Sequence, residues 1–171
     1  MRLPPAVIGL AAIGLAACQP SLPAMRRYDY PELGFSISFP APPKVTDQPA
    51  TAAGAPHTVL VEADAGGRDF AISIAEGTNP GTDIDQVTTE AAVEMTRAAG
   101  GEASVRTYAA TAEGVMGREL TFTRSGRPVA KARLYLEGGR FYVLAAKSLF
   151  GTDDPAVDDF LTSFHLIARR A

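Results

Sequence analysis

Hydrophobic and polar residues alternate along much of this chain, and a period of two is typical of half-buried β-strands. Phe35, Ile37 and Phe39 alternate with serines and predict a first strand, which a proline ends. Two further runs flank Gly66-Gly67, and pairing them across a two-residue turn places their apolar residues on one face. The expected cross-strand pairs are Val59 with Ile74, Val61 with Ile72 and Ala63 with Phe70. The segment 40–56 shows no period, so we predict a loop there.

Three more strands are predicted over about 103–109, 115–123 and 129–137. Between the second and the third, a two-residue turn at Ser125-Gly126 would mix apolar and charged residues on each face. A three-residue loop that also includes Arg127 separates them, so we prefer that register. It pairs Phe122 with Ala130, Leu120 with Ala132 and Glu119 with Arg133.

The last predicted strand, Phe141 to Ala146, follows a tight turn at Gly138-Gly139. The turn sets Leu136 opposite Phe141, Leu134 opposite Val143 and Ala132 opposite Ala145. This strand is apolar on both faces, so we expect it at the centre of a sheet with a cover on each side.

Two helices provide the expected covers. Thr82 and Asp85 form the predicted capping box of the first helix, and Gly100-Gly101 its stop. Its apolar stripe consists of Ile84, Val87, Ala91, Met95 and Ala98. Asp154 and Pro155 predict the start of a short second helix. Its stripe consists of Val157, Phe160, Leu161 and Phe164. The predicted fold class is α+β, an antiparallel β-sheet sandwiched by helices.

The N-terminus carries the parts of a secretory signal: Arg2, an apolar stretch over about 6–15, and small residues before the one cysteine of the chain. The stretch is too short for a spanning helix, which needs about 20 apolar residues. Leu15-Ala16-Ala17-Cys18 resembles the lipobox of bacterial lipoproteins, which implies cleavage after residue 17 and a diacylglycerol on Cys18. The alternative is an ordinary secretory signal that ends in a cysteine by chance.

The resemblance implies a protein tethered to an envelope membrane by its lipid. Gln19 follows the cysteine, and in such lipoproteins aspartate at that place favours retention in the inner membrane. We therefore expect the periplasmic face of the outer membrane where the cell has one. The predicted organisation is a signal peptide over 1–17, a proline-rich lipidated tether over 18–33 and a single domain over 34–171.

Two stretches resemble the PsbP-like family, which includes the DcrB-type bacterial lipoproteins. One is Gly34 to Pro40. The other combines Gly139 to Leu144 with Phe160 to Phe164. The resemblance covers about residues 30–167 and implies an α/β/α sandwich. Members are mostly accessory or binding proteins without a shared active site, so it implies no catalytic residues and no cofactor.

Composition and motifs add little chemistry. Sixteen Lys and Arg against 19 Asp and Glu give a net charge of −3, which offers no electrostatic reason to expect nucleic acid as a partner. His57 and His165 are the only histidines, and with a single cysteine we expect no zinc site. The Gly-X-Ser-X-Gly motif is absent. The sequence therefore predicts a non-catalytic protein; the alternative is a small envelope hydrolase in which Ser or Asp meets one of the histidines.

Two acidic clusters allow two interpretations, calcium ligands or helix caps. They are Asp83 with Asp85, and Asp153 and Asp154 with Asp158 and Asp159. Both clusters lie where helix N-termini favour negative charge, and neither matches a calcium loop, so we prefer capping.

One surface is a candidate for binding an envelope protein. In the predicted registers Tyr135 and Tyr142 are directly opposed, with Arg133 and Arg140 close by. Exposed aromatic residues with arginine favour partner binding. The alternative, which we prefer, is that a helix covers the two tyrosines and makes them part of the core.

Overall fold

The computed structural model describes residues 24–50, 56–78, 81–98 and 104–167. The strands are β1 (Arg26–Tyr30), β2 (Phe35–Phe39), β3 (Lys44–Gln48), β4 (His57–Asp64), β5 (Arg68–Glu76), β6 (Ser104–Ala112), β7 (Val115–Arg124), β8 (Arg127–Glu137), β9 (Arg140–Ser148) and β10 (His165–Leu166). The helices are α1 (Ile84–Ala98) and α2 (Pro155–Thr162), and a 3-10 turn spans Pro31–Leu33.

Seven strands form one antiparallel sheet in the order β3-β4-β5-β9-β8-β7-β6. The registers predicted from alternation around Gly66-Gly67 and Gly138-Gly139 are confirmed pair by pair. β9 lies at the centre of this sheet between β5 and β8, as its two apolar faces predict. A second, smaller sheet has the order β1-β2-β10.

The β7–β8 connection has the predicted residue pairs but a shorter turn than expected. Phe122 faces Ala130 and Leu120 faces Ala132, as expected. The turn itself has two residues, Ser125 and Gly126, both with positive φ, and Arg124 faces Arg127. The register shifts after Phe122, because Val129 is an extra residue in β8 and forms a bulge. The three-residue loop was therefore wrong, and the bulge is what separates apolar from charged side chains.

Both helices start at an aspartate. Asp154 caps α2 through its side chain, which accepts a hydrogen bond from the backbone N–H of Ala156, as predicted. In α1 the cap is Asp83, whose carboxylate accepts from the N–H of Asp85 at 2.9 Å. The predicted box with Thr82 was wrong by one position, and its stop, Gly100-Gly101, lies outside the described residues.

The side chains of β9 contribute to two separate cores. Tyr142, Leu144 and Ala146 face the larger core, which also holds β2 and the predicted stripe of α2. The last member of that stripe, Phe164, lies two residues past the end of the helix. Phe141, Val143 and Ala145 face the smaller core, to which α1 contributes a short apolar stripe. That core is built of Leu120, Phe122, Ala132 and Leu134, with Ala91, Ala92 and Met95 of α1 packed against it. The fold thus consists of antiparallel β-sheets with two helices.

Three edge strands correct the sequence analysis, which predicted none of them: β1, β3 and the two-residue β10, which pairs with β2. β1 lies inside the predicted tether 18–33, and its five residues pair with β2, so the folded unit begins before Gly34. β3 lies inside the predicted loop 40–56 and pairs with β4. Most residues of both β1 and β3 are exposed, so neither shows the apolar period on which the prediction depended.

No helix in the described part of the chain combines the length and the apolar character needed to cross a bilayer.

Tyr135 and Tyr142 are 1% and 2% exposed and stack around Phe164 in the larger core. Replacing both with Ser should lower Tm by at least about 6 °C, because truncating a buried aromatic side chain costs about 3 kcal/mol or more. Thermal unfolding followed by circular dichroism measures the change. Tyr108→Ser is the control, since Tyr108 is 50% exposed and should leave Tm nearly unchanged. An unchanged midpoint in the double variant would contradict the packing role.

Candidate functional site

The structure buries three of the four residues considered for partner binding, Tyr135, Tyr142 and Arg140. Tyr135 and Tyr142 are buried, as the preferred interpretation of a covered pair expects, so neither ring is part of an exposed binding surface. Arg133 donates to the carboxylate of Glu119 at 2.7 Å and to the backbone oxygen of Leu161 at 3.1 Å. It therefore ties β8 to β7 and to the end of α2. Cys18, the predicted lipidation site, lies outside the described residues.

Arg140 and Tyr142 hold the small sheet against the large one. Arg140 is 7% exposed; it donates to Glu76 at 2.8 Å and to the backbone oxygen of Glu32 at 2.8 Å. The hydroxyl of Tyr142 donates to the backbone oxygen of Leu33 at 3.0 Å. The backbone oxygens of Glu32 and Leu33 both lie in the 3-10 turn between β1 and β2. A buried guanidinium needs such partners, so Arg140 is a structural clamp rather than a free binding group.

Gly34 follows this turn with φ +77°, and a Cβ there would lie 3.1 Å from both the Arg140 Nη1 and the Tyr142 hydroxyl. Only glycine combines that conformation with that approach.

A line of alternating charges extends from Arg140 to the edge of the sheet. Glu76 also contacts His57, whose Nδ1 lies 3.1 Å from the Glu76 carboxylate. The Nε2 of His57 lies 2.6 Å from the carboxylate of Asp47 on β3. The hydrogen bond to Asp47, and then that to Glu76, raises the pKa of His57. The hydrogen bond from His57, together with that from Arg140, lowers the pKa of Glu76.

A cleft of about 320 Å³ opens at the same end of the large sheet. Arg140 and Tyr142 line it from β9, and the turn of Glu137 and Gly138 lies beside them. The remaining lining residues are Gly34, Glu113, Val115, Leu166 and Ile167. On its rim the Nδ1 of His165 lies 2.6 Å from Glu113. Two of the charged residues that line the cleft, Arg140 and Glu113, are thus paired with the side chains of Glu76 and His165.

Four of the six aspartates in the acidic clusters have structural partners. Asp83 and Asp154 cap helices, Asp85 contacts Arg118 at 2.7 Å, and Asp158 contacts Lys131 at 2.8 Å. Within the described ranges, no group of three or more His, Cys, Asp or Glu side chains is arranged to hold a metal ion.

Sequence reasoning missed the partners of both histidines, although one signal was present. Extending the predicted register of Val59 opposite Ile74 by two residues places His57 opposite Glu76, as the structure shows. Asp47 could not be found in this way, because its strand β3 was not predicted. Glu113 meets His165 across 52 residues of sequence, and no local pattern indicates that contact.

Several solved structures match the fold of this chain. The solution structure of cyanobacterial PsbP (CyanoP) from Synechocystis sp. PCC 6803 matches with a TM-score of 0.58 at 15% sequence identity. The match covers 89% of this chain and 98% of that chain. The chain has a PsbP-like fold. At this identity the likeness concerns the fold alone. No protein-family model matches the chain, and neither does any curated protein.

Gly34→Ala should destabilise the protein more than Gly114→Ala. Both glycines have positive φ, +77° and +82°, so both changes cost about 1–2 kcal/mol of backbone strain. A Cβ at Gly114 meets nothing within 4 Å, whereas one at Gly34 displaces Arg140 and Tyr142. Urea unfolding of the two variants measures the difference, expected to be about 1 kcal/mol or more. Equal losses would show that the clamp does not depend on this close approach.

The contribution of His57 to stability should depend on pH. Its pKa is raised above 6.5, so its stabilising effect is full below pH 6.5 and is lost as the pH rises through the folded value. The pKa of Glu76 is lowered below 4.5, so its effect is present above pH 4.5 and is lost as the pH falls. The Tm difference between wild type and His57→Gln should therefore be largest between these two pH values. A difference that does not change from pH 5.5 to about pH 9 would contradict the network.

Proposed function

We propose that this protein is a lipid-anchored accessory or binding protein of the cell envelope, without catalytic activity, and that its PsbP-like domain is of the DcrB type. The observation that carries the proposal is Leu15-Ala16-Ala17-Cys18, in which the one cysteine of the chain follows an apolar segment and small residues. The PsbP-like fold fits this proposal, because the sequence resemblance to DcrB-type lipoproteins extends over the same domain.

The physical chemistry of the anchor supports a stable tether. Each buried methylene of an acyl chain contributes about 0.8 kcal/mol, so two chains hold a small domain at a membrane where a single chain would not. The net charge of −3 gives the whole chain no attraction for anionic headgroups, so the lipid must supply most of the affinity. Gln19 after the cysteine favours the periplasmic face of an outer membrane as the destination.

The contacts of His57 favour binding over hydrolysis. A hydrolase of the kind considered above needs a histidine that accepts a proton from a nucleophile. Asp47 does meet His57, as that alternative expects, but Glu76 lies against the other ring nitrogen, so neither nitrogen is left to accept a proton from a nucleophile. The Nδ1 of His165 lies against Glu113, an arrangement that also suits a catalytic base, but no serine among the described residues hydrogen-bonds to this ring. These pairs join strands and loops to one another, and the cleft beside them is open to a partner.

Cys18→Ser should move the protein from the membrane fraction to the soluble fraction, because the variant has no thiol to carry the lipid. Fractionation of cells, with metabolic labelling by palmitate, measures both the location and the modification. Ser21→Ala, a small change in the same segment, is the control and should remain membrane-bound and labelled. A Cys18→Ser protein that stays in the membrane fraction would refute the anchoring half of the proposal.

A further inference from the structure

Two large apolar side chains project into solvent from the loop between β9 and α2. Leu149 is 78% exposed and Phe150 is 55% exposed. The fold gains little from them there, since neither belongs to either core. Exposed apolar groups that lie side by side are typical of contact with a partner or a membrane.

The loop is held in place by hydrogen bonds rather than left free. The N–H of Leu149 donates to the backbone oxygen of Gly67 at 3.0 Å, and the N–H of Phe150 donates to the hydroxyl of Ser148 at 3.1 Å. The same hydroxyl donates to Asp154 at 2.6 Å, and Asp154 is paired with the buried Arg68. Burial alone would raise the pKa of Asp154, but the hydrogen bonds from Arg68 and Ser148 lower it, so the carboxylate stays ionised.

The Arg68 guanidinium also lies under the ring of Phe150, 4.5 Å from its centroid. One face of the ring is thus fixed against the protein while the other faces solvent. The two apolar side chains are therefore presented on a rigid support.

The direction of β1 places its first residue at this same end of the domain. β1 begins at Arg26, which pairs with Phe39 at the end of β2. The ring of Phe39 packs on Phe160, and Phe160 packs on Phe70, which pairs with Ala146 near the end of β9. The first strand therefore starts close to the point where β9 ends and the Leu149-Phe150 loop begins.

The distance from the proposed anchor is short. Seven residue steps separate Cys18 from Met25, and an extended chain spans at most about 3.6 Å per residue, or about 25 Å in total. A lipid on Cys18 would thus keep the start of β1 within about 25 Å of the bilayer surface.

Basic residues lie on one side of the exposed pair, whereas the exposed Asp153 follows it in the loop. The β7–β8 turn lies nearby, since a Cβ at Gly151 would be 4.0 Å from the backbone oxygen of Pro128. Arg124 and Arg127 face each other across that turn, both are exposed, and neither forms an ion pair with any described residue. Arg26 is likewise exposed and unpaired within the described ranges. Two like charges directly opposite are unfavourable unless an anion lies between them.

We propose that Leu149 and Phe150, with the arginines beside them, form a membrane-contacting tip that inserts into the headgroup region of the bilayer that holds the anchor. This inference rests on the proposed lipid anchor. The surface fits a bilayer better than a protein, because a stable protein interface needs about 800 Å² on each partner, and one aromatic side chain buries about 150–250 Å². Apolar side chains flanked by arginine are the composition of interfacial contacts, and guanidinium groups pair with lipid phosphates.

The test uses the full, lipidated chain with one labelled position. Cys18 carries the lipid through its sulfur, so Leu149→Cys introduces the only free thiol, to which an environment-sensitive nitrobenzoxadiazole dye is attached. Met116→Cys is the matched control, because Met116 is 59% exposed and lies at the cleft end of the sheet. Both proteins are reconstituted in vesicles of phosphatidylethanolamine and phosphatidylglycerol, with or without a lipid that carries a nitroxide near its headgroup.

The dye at position 149 should shift to shorter wavelength and be quenched by the nitroxide lipid at least about twofold more than the dye at position 116. Adding Phe150→Ser to the Leu149→Cys protein should reduce that quenching, while Tm confirms that the fold is kept. Equal responses at the two positions in vesicle-bound protein would overturn the tip and leave the anchor intact. A wild-type chain that carries no lipid and does not float with the vesicles would refute the anchor, and the inference with it.

Discussion

The fold depends on covering both faces of β9. This strand pairs with β5 on one side and with β8 on the other, so its backbone is satisfied within the sheet. Its side chains alternate between two cores, one shared with β2 and α2 and the other with α1. Removing either cover would expose a row of apolar side chains, and each helix position follows from that requirement.

Each end of β9 is closed by a buried arginine that joins the sheet to another element. At its start Arg140 bridges Glu76 and the 3-10 turn before β2. At its end Arg68 of the neighbouring strand pairs with Asp154, the cap of α2. A buried charge without its partner is costly, so these bridges specify how the small sheet and α2 sit against the large sheet. The same two bridges shape the cleft at one end and support the exposed loop at the other.

The sequence predicted those strands in which one face is buried. Alternation alone identified the pairing of Val59 with Ile74 and of Leu134 with Val143, because a slip of one residue would reverse every side chain. It did not predict β1 and β3, which are edge strands with mostly exposed residues. The β7–β8 bulge was not predicted for another reason. A three-residue loop, and a two-residue turn with one extra residue in β8, both pair Phe122 with Ala130 and Leu120 with Ala132.

The candidate site was less predictable than the fold. Contacts such as Arg140 with Glu32, or His165 with Glu113, join residues far apart in sequence after the sheets have assembled. A pattern of apolar positions carries no information on them, because charged side chains at strand ends have the same local signal whether they meet a partner or water. The contacts of His57 with Glu76 and of Arg133 with Glu119 could be derived, since both follow from strand registers.

The position of β1 has a mechanical consequence. Any tension on the residues before Arg26 reaches the domain through this strand, which is held to β2 by five consecutive residue pairs. Tension along the strand axis shears all five pairs at once, whereas tension across the axis would peel them apart one after another. Because β1 starts at the end where the chain leaves the domain, a pull directed outward from that end acts along the axis. The domain is thereby loaded in its more resistant direction.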